Sequence, residues 1–312
     1  MSADAQNPLR GIAMKVMSVI VFLGMQTCIK AAGDGIPAGQ ITFFRSAFAL
    51  VPILIYLAMR GDLRTAFRTD SPLGHLKRGT LGIAAMACGF YGLIHLPLPD
   101  AIAIGYASPL MAVIFAALIL KETVRVYRWT AVAIGIFGVM IISWPKLSLF
   151  SHGGMDSGPA VGALAVLMSA VLGGLAMVQT RQLVRTEKTS TIVVYFSLTA
   201  AVFSLISLPF GWAVLTLEEK IFLVSSGFFG GLGQIFLTES YRHADVSTVA
   251  PFDYSSIILG IVIAYFLFGD IPTIQMLIGT AITVSAGIFI IYREHQLGLE
   301  RKAARKASSP PA

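Results

Sequence analysis

IGYASPLMAVIFAALILKE, residues 104–122, and PFDYSSIILGIVIAYFLFGD, residues 251–270, are two copies of one pattern. A shift of 148 places sets Tyr106 on Tyr254, Ser108 on Ser256 and Glu122 on Asp270. Each copy is an apolar run of the length that spans a bilayer as an α-helix. Working outward, about ten such runs lie between Gly11 and Tyr292, and the last five echo the first five. Five helices is an odd number, so the second set must enter the membrane from the opposite side. Inverted-topology repeats of this kind build many secondary transporters.

Composition points the same way. The chain is 56% hydrophobic and 12% charged, with a mean hydropathy of +0.78. A soluble domain carries about 25% charged residues. The fold expected is therefore an all-α integral membrane protein. Ten transmembrane helices are predicted, at about 11–33, 39–59, 79–96, 100–120, 127–144, 159–180, 189–213, 219–240, 246–268 and 272–292. Residues 1–10 form a cytoplasmic N-terminus, 11–144 the first five-helix repeat, and 145–158 an external Gly/Ser-rich linker. Residues 159–292 form the second repeat. Residues 293–312 form a basic cytoplasmic tail, briefly helical and otherwise disordered.

The net charge of +7 invites a nucleic-acid reading, but its placement refuses it. With the N-terminus inside, 18 of the 23 basic residues fall in cytoplasmic segments. Only Lys30, Lys146 and Lys220 fall outside. Lys15 and Arg45 lie within helices, and Lys15, like Lys30, is near enough to a helix end to snorkel. That bias orients the protein with both termini inside. It makes the lipid bilayer the partner of the basic residues.

Several classes drop out. Helix 1 is too long for a signal-peptide core. Cys28 and Cys88 lie within helices and read as small apolar filler. The five histidines lack metal-ligand spacing, so no metal site is expected. No phosphate-binding loop is present, so no ATP-driven motor and no cofactor are expected. Gly227 and Gly231 form a GxxxG face, as Gly279, Thr283 and Gly287 form a small-residue face; so do Ala131 and Gly135. These read as packing surfaces, within the bundle or between copies of the chain.

At this point residues 10–292 resemble the drug/metabolite transporter superfamily, in its EamA-type branch. The resemblance rests on Phe44-Arg45 at the start of helix 2 and Pro109 with Glu122 thirteen residues on. It rests also on Asp270 at the matching end of helix 9 and on the tract ADVSTVAPFDY, residues 244–254. Ile257 departs from the pattern, standing where the repeat would place the proline seen at Pro109, and Glu239 stands where small residues are commoner. The resemblance implies transport of a small organic metabolite through a central cavity between the halves. The wording of APFDY and YFLFGD also resembles carriers of S-adenosylmethionine or riboflavin.

The polar residues at membrane depth are the candidate site. An arginine there costs roughly 2.5–3.5 kcal/mol on insertion scales, so something must offset Arg45. Setting Phe44 on Phe196 places Ser197 opposite it, so the charge is one-sided. It either touches ligand or gate, or ties to helix-end carbonyls or snorkels outward. Asp253, about seven residues into helix 9 and close to mid-depth, is also one-sided, since its counterpart is Gly105. Pro251 removes a backbone donor and should kink the helix there. Asp253 therefore reads as a substrate or proton site, or as a buried partner of Arg45 or a tyrosine. Glu239 either binds ligand or pairs with Arg242 at i+3. Gln26 and Gln179 fall at equivalent points of helices 1 and 6 and either line a cavity or bond across helices. Tyr91, Tyr106, Tyr195 and Tyr254 pack or touch ligand, with Tyr106 and Tyr254 favoured as an equivalent pair. Glu122 and Asp270 read as structural terminators.

The expected function is a secondary carrier of a small, amino-acid-like or zwitterionic metabolite working by alternating access. Two alternatives of another class remain: a membrane enzyme, which would need a nucleophile–base pair or metal ligands at one face, and none is visible, and an assembly protein, which would have no reason to keep charges at membrane depth. A coupling proton and a second copy of the chain are further partners the sequence admits.

Overall fold

The computed structural model describes residues 8–33, 35–121, 124–147, 158–183, 186–243 and 249–307. Residues 148–157 of the inter-repeat linker, Glu122, residues 244–248 of the tract ADVSTVAPFDY and the Arg242 side chain lie outside the described set.

Among the described residues the chain forms ten long helices, besides the single turn Leu63–Ala66. In the first half these are α1 (Pro8–Ala31), α2 (Ala38–Met59), α3 (Pro72–His95), α4 (Leu98–Ile119) and α5 (Val126–Leu147). In the second they are α6 (Gly158–Leu183), α7 (Thr189–Ser204, extended by a 3-10 turn Leu205–Phe210) and α8 (Leu217–His243). Helix α9 joins Ala250–Tyr254, Ser255–Ile263 and Ala264–Phe268, and α10 is Ile274–Ala307. Eight of the ten are long and apolar enough to cross a bilayer. Helix α9 is shorter, with Phe252–Phe268 apolar. Helix α3 carries His75, Lys77 and Arg78 in its first two turns, which lowers its hydropathy. The tail departs from expectation: α10 runs on as one helix through the basic segment to Ala307. Its run of Glu, Lys, Arg and Ala is strongly helix-forming.

The main packing pairs recur when the halves are exchanged. Helix α3 lies along α6 as α8 lies along α1; α2 meets α7, and α5 meets α10. The repeats therefore interleave, and the core is shared. Leu23 and Ile29 of α1, Ile104 of α4, Val166 of α6, Leu223 of α8 and Met276 of α10 belong to one buried cluster. Glycines set the close approaches. A Cβ at Gly227 would collide with Phe48, and one at Gly231 with the Ala49 carbonyl and Pro52, so the α8 GxxxG face seats on α2. Gly279 meets the Gly138 carbonyl, and Thr283 donates to the Gly135 carbonyl at 3.2 Å. The α10 small-residue face thus packs inside the bundle. Outward positions such as Ile55, Phe137, Ile206, Ile258 and Phe289 stay exposed and apolar, as a lipid-facing surface requires.

Helices α4 and α9 both change pitch at the equivalent tyrosine. Helix α4 breaks at Tyr106 into Leu98–Gly105 and Ala107–Ile119, three residues before Pro109. Helix α9 passes from 3-10 to α geometry after Tyr254. Pro109 accounts for the break in α4, since it withholds the donor that would bond back to Gly105. Pro251 stands in the first turn of Ala250–Tyr254, where no intrahelical donor is missed. Helix α9 then ends at Gly269, whose φ of 68° suits glycine.

The loops are tied at both ends. At the end where α1 begins, Glu187 between α6 and α7 accepts from Thr69 Oγ1 (2.7 Å), Asp70 N (2.8 Å) and Ser71 N (2.9 Å), just ahead of α3. Burial works against its charge, but these three bonds and nearby His75 outweigh it and hold the carboxyl below its ordinary range. At the opposite end Asp270 Oδ2 accepts from Leu98 N at 3.3 Å, where α4 has orphan donors. Lys146 pairs with Asp100 at 3.2 Å. Lys30 does not snorkel: its ammonium donates to the Leu96 carbonyl at 2.5 Å and lies 5.6 Å from the Phe268 ring centre.

Candidate functional site

A cavity of about 630 Å3 lies between the halves. It runs from Lys15, Leu237, Asp253 and Ile291, toward the end where α1 begins, to Leu93 and Ala101 near the Lys30–Asp270 ties. That volume suits a small organic molecule. Its wall is aromatic and apolar, with Phe22 and Phe90 prominent, and Gln26, Ser108, Ser169 and Ser256 supply polar points.

Tyr106 and Tyr254 both line the cavity, and their rings meet with centroids 5.0 Å apart. The equivalent residues of the two repeats thus touch where the repeats cross. The Tyr106 hydroxyl donates to the Asp253 carbonyl at 2.8 Å and contacts Ser256 Oγ at 2.5 Å. Ser256 Oγ also donates to that carbonyl at 2.9 Å. The first half therefore pins the turn of the second half that carries Asp253. Across the ring, the Tyr254 hydroxyl occupies the notch left by Gly287 of α10.

Asp253 is not joined to Arg45. Its Oδ1 lies 2.7 Å from Lys15 Nζ. Lys15 is 2% exposed, so it does not snorkel; it sits about 10 Å along α1 at 1.5 Å per residue. The Asp253 side chain is 46% exposed. It lies nearer the α1-start end than the middle of the membrane, as the second residue of the apolar stretch Phe252–Phe268. Both members of the pair are one-sided. The shift that sets Gln26 on Gln179 sets Lys15 on Met168, which is 53% exposed, and Asp253 matches Gly105.

Arg45 is 4% exposed and is not among the cavity-lining residues. Its guanidinium stands 5.9 Å from the Phe196 ring centre, close to Gly230 and Met25. Met25 lines the cavity, so Arg45 is one side chain behind the wall. Arg78 lies over the same ring at 3.7 Å and donates from Nε to Thr180 Oγ1 at 3.3 Å. Among the described residues, Arg45 Nε and Nη1 and Arg78 Nη1 have no hydrogen-bond partner. Offsetting the cost of Arg45 thus falls in part to cation–π attraction.

The remaining candidates separate. Gln26 lines the cavity, whereas Gln179 does not, so the amides are not paired across it. Tyr91 stacks on His95 with centroids 4.2 Å apart, away from the lining. The Tyr195 hydroxyl donates to the Phe67 carbonyl at 3.1 Å. Glu239 accepts from the Tyr56 hydroxyl and from Arg60 Nη1 at 2.7 Å, tying α8 across the halves to α2, and along its own helix His243 Nε2 lies 3.8 Å from its other oxygen. Sequence reasoning passed over Lys15, Arg78 and Phe196. The signal for Lys15 was available: an ammonium in the otherwise uncharged run from Gly11 to Ile29 carries the same cost that singled out Arg45.

The profile of the EamA-like transporter family matches residues 9–144 and again residues 160–293. The chain belongs to the EamA-like transporter family. Its curated relatives include the pseudopaline exporter CntI of Pseudomonas aeruginosa, 32% identical over 90% of this chain and 93% of the relative. The riboflavin transporter of Rhizobium johnstonii is 30% identical over 95% and 92%. The S-adenosylmethionine uptake transporter of Rickettsia prowazekii is 26% identical over 92% and 94%. A solved crystal structure superposes with a TM-score of 0.63 over 91% of this chain and 98% of its own, at 18% identity, which establishes the shared fold. This family member is a multi-pass integral membrane transporter of small metabolites, not an enzyme, and its bacterial relatives point to the inner membrane.

Proposed function

We propose that this transporter carries an amino-acid-like or zwitterionic metabolite by alternating access, with the two repeats rocking around the central cavity. The observation that carries the reading is the cavity itself: an aromatic chamber where the repeats cross, with one acid and one base in its wall. Tyr106, Tyr254 and Gln26 would hold the body of the substrate, and Asp253 a cationic group. Arg45, behind Met25, would act on the wall rather than on the ligand. The ties of Lys30, Asp270, Asp100 and Lys146 would close the far end while Asp253 stays accessible from the other.

Counterflow in proteoliposomes tests this. Vesicles loaded with unlabelled amino acids should accumulate the labelled form of at least one, and Asp253→Asn should abolish it. If Asp253 instead carries a coupling proton, Asp253→Asn would keep exchange of substrate for substrate and lose only proton-driven accumulation. A second reading rests on the aromatic wall and on the relatives' names: an uptake carrier for S-adenosylmethionine- or riboflavin-like molecules. Flux of riboflavin with none of any amino acid would favour it over the first.

A further inference from the structure

We propose that Lys15 and Asp253 together select the substrate by charge, each binding the opposite charge of a zwitterion, with Lys15 a specificity-determining residue. The inference rests on the transport reading above and adds to it the residue for the anionic end.

Among the described residues that line the cavity, Lys15 and Asp253 are the charged ones, and they hold each other at 2.7 Å. The charge in the cavity wall is thus balanced within one internal pair. A ligand with a net charge would leave one member of that pair facing uncompensated charge in an apolar wall, which is costly. A ligand with adjacent ammonium and carboxylate groups adds one of each. The geometry suits a cyclic arrangement. Asp253 Oδ1 faces Lys15, while Oδ2 takes no partner among the described residues and the side chain is half exposed. An α-ammonium can dock on that second oxygen while its own carboxylate reaches the Lys15 ammonium, so that charges of opposite sign alternate around a ring.

The pair is also not inherited scaffold. Each half contributes one member, Lys15 from α1 and Asp253 from α9, and the repeat places Met168 and Gly105 at the counterparts. A tie serving the shared architecture would be expected in both halves; Tyr106 and Tyr254, which do recur, lie next to it. Arg45, another buried base near the cavity, is not among its lining residues and does not substitute for Lys15 in this conformation.

The test is a charge-preference switch. Purified full-length protein in detergent is screened by thermal shift against the twenty amino acids and simple dipeptides. Each hit is then compared with its methyl ester, which lacks the carboxylate, and its N-acetyl derivative, which lacks the ammonium. Wild type should prefer the parent over both by roughly ten- to hundredfold in Kd, the weight of a hydrogen bond to a charged group. Lys15→Met should bind the ester at least as tightly as the parent. Asp253→Asn should shift preference to the N-acetyl derivative. The double variant Lys15→Met/Asp253→Leu removes both charges together and should fold with the discrimination gone. A folded Lys15→Met that keeps wild-type preference, or a screen in which no zwitterion binds, overturns the proposal. Counterflow separates that outcome from failure of the transport reading: vesicles that move riboflavin but no amino acid keep a carrier and lose the zwitterion.

Discussion

Lys15 and Arg45 are both buried bases in apolar helices, and the protein holds them in opposite ways. Lys15 sits at the cavity edge against a carboxylate. Arg45 sits behind the wall, over the Phe196 ring with Arg78, and two of its nitrogens have no hydrogen-bond partner among the described residues. The first arrangement neutralises a charge where a substrate can reach it. The second leaves two like charges around one aromatic face where nothing enters. The difference teaches that depth and cost alone do not mark a ligand site. What marks it is a charge whose partner is accessible.

The comparison breaks most visibly at Asp253. Removing one partner of a buried ion pair costs about 3–5 kcal/mol, because the other charge is stranded. Asp253→Ala strips a 2%-exposed ammonium of its acid, so a loss near the lower end, about 3 kcal/mol, is expected. Lys15→Ala strands a carboxylate that is half exposed and should cost less. Melting temperatures in detergent should rank wild type above Lys15→Ala above Asp253→Ala, with the double variant recovering toward wild type. The reverse order of the single variants would mean that the Lys15 ammonium is held mainly by something other than Asp253.

At Arg45 the sign inverts. A buried donor without a partner costs about 1–3 kcal/mol. Arg45→Met keeps the length, removes the cation and relieves the repulsion from Arg78. It should therefore stabilise the fold by up to that amount, read as a higher melting temperature, while lowering flux in proteoliposomes. A destabilised Arg45→Met would show that the Phe196 contact more than repays the burial.

Gly287→Ala tests the cavity side without touching either arginine. The new methyl would meet the Tyr254 hydroxyl, pushing the ring that faces Tyr106. The end of a side chain has to move rather than backbone, so a cost of roughly 1–2 kcal/mol is expected, low in the overpacking range. Ligand affinity should fall several-fold. Gly35→Ala, in open space away from the cavity, is the control and should be near neutral. Equal behaviour of the two would place the tyrosine pair outside the binding surface.

Most of the architecture was legible before any coordinates, because period and repetition record it directly. The 148-residue echo set Tyr106 against Tyr254, and the rings meet. The glycine faces on α8 and α10 read as packing and are packing. The partners of charges were not legible. Asp253 and Lys15 are far apart in sequence, and nothing in local pattern says that α1 lies against the start of α9. Arg45 was singled out by its cost, which is real, but cost does not reveal which way a guanidinium points. Tyr91 and Gln179 failed for the same reason: a helix position fixes depth, and only the packing of neighbours fixes which face looks into the cavity.

The smallest expected effect concerns a third way of holding charge, outside the membrane. Glu187 is held first by three hydrogen-bond donors ahead of α3, with His75 Nε2 3.8 Å from its other oxygen. An anion at a helix N-terminus contributes about 0.3–1 kcal/mol. Glu187→Gln should cost that much at neutral pH. The sign of its pH dependence follows from the depressed carboxyl. In the unfolded chain a glutamate titrates near about 4.3, and in the fold it titrates lower. The stabilisation is therefore fully present above the unfolded value and is lost as pH falls through the folded one. The difference in melting temperature between wild type and Glu187→Gln should be constant from neutral pH down to about 5 and shrink below about 4.3. Repeating the series in a His75→Gln background removes the neighbouring imidazole as a second titrating group. A difference that shrinks instead around pH 6 in the presence of His75, and not in its absence, would assign the effect to the histidine pair rather than to the donors at the start of α3.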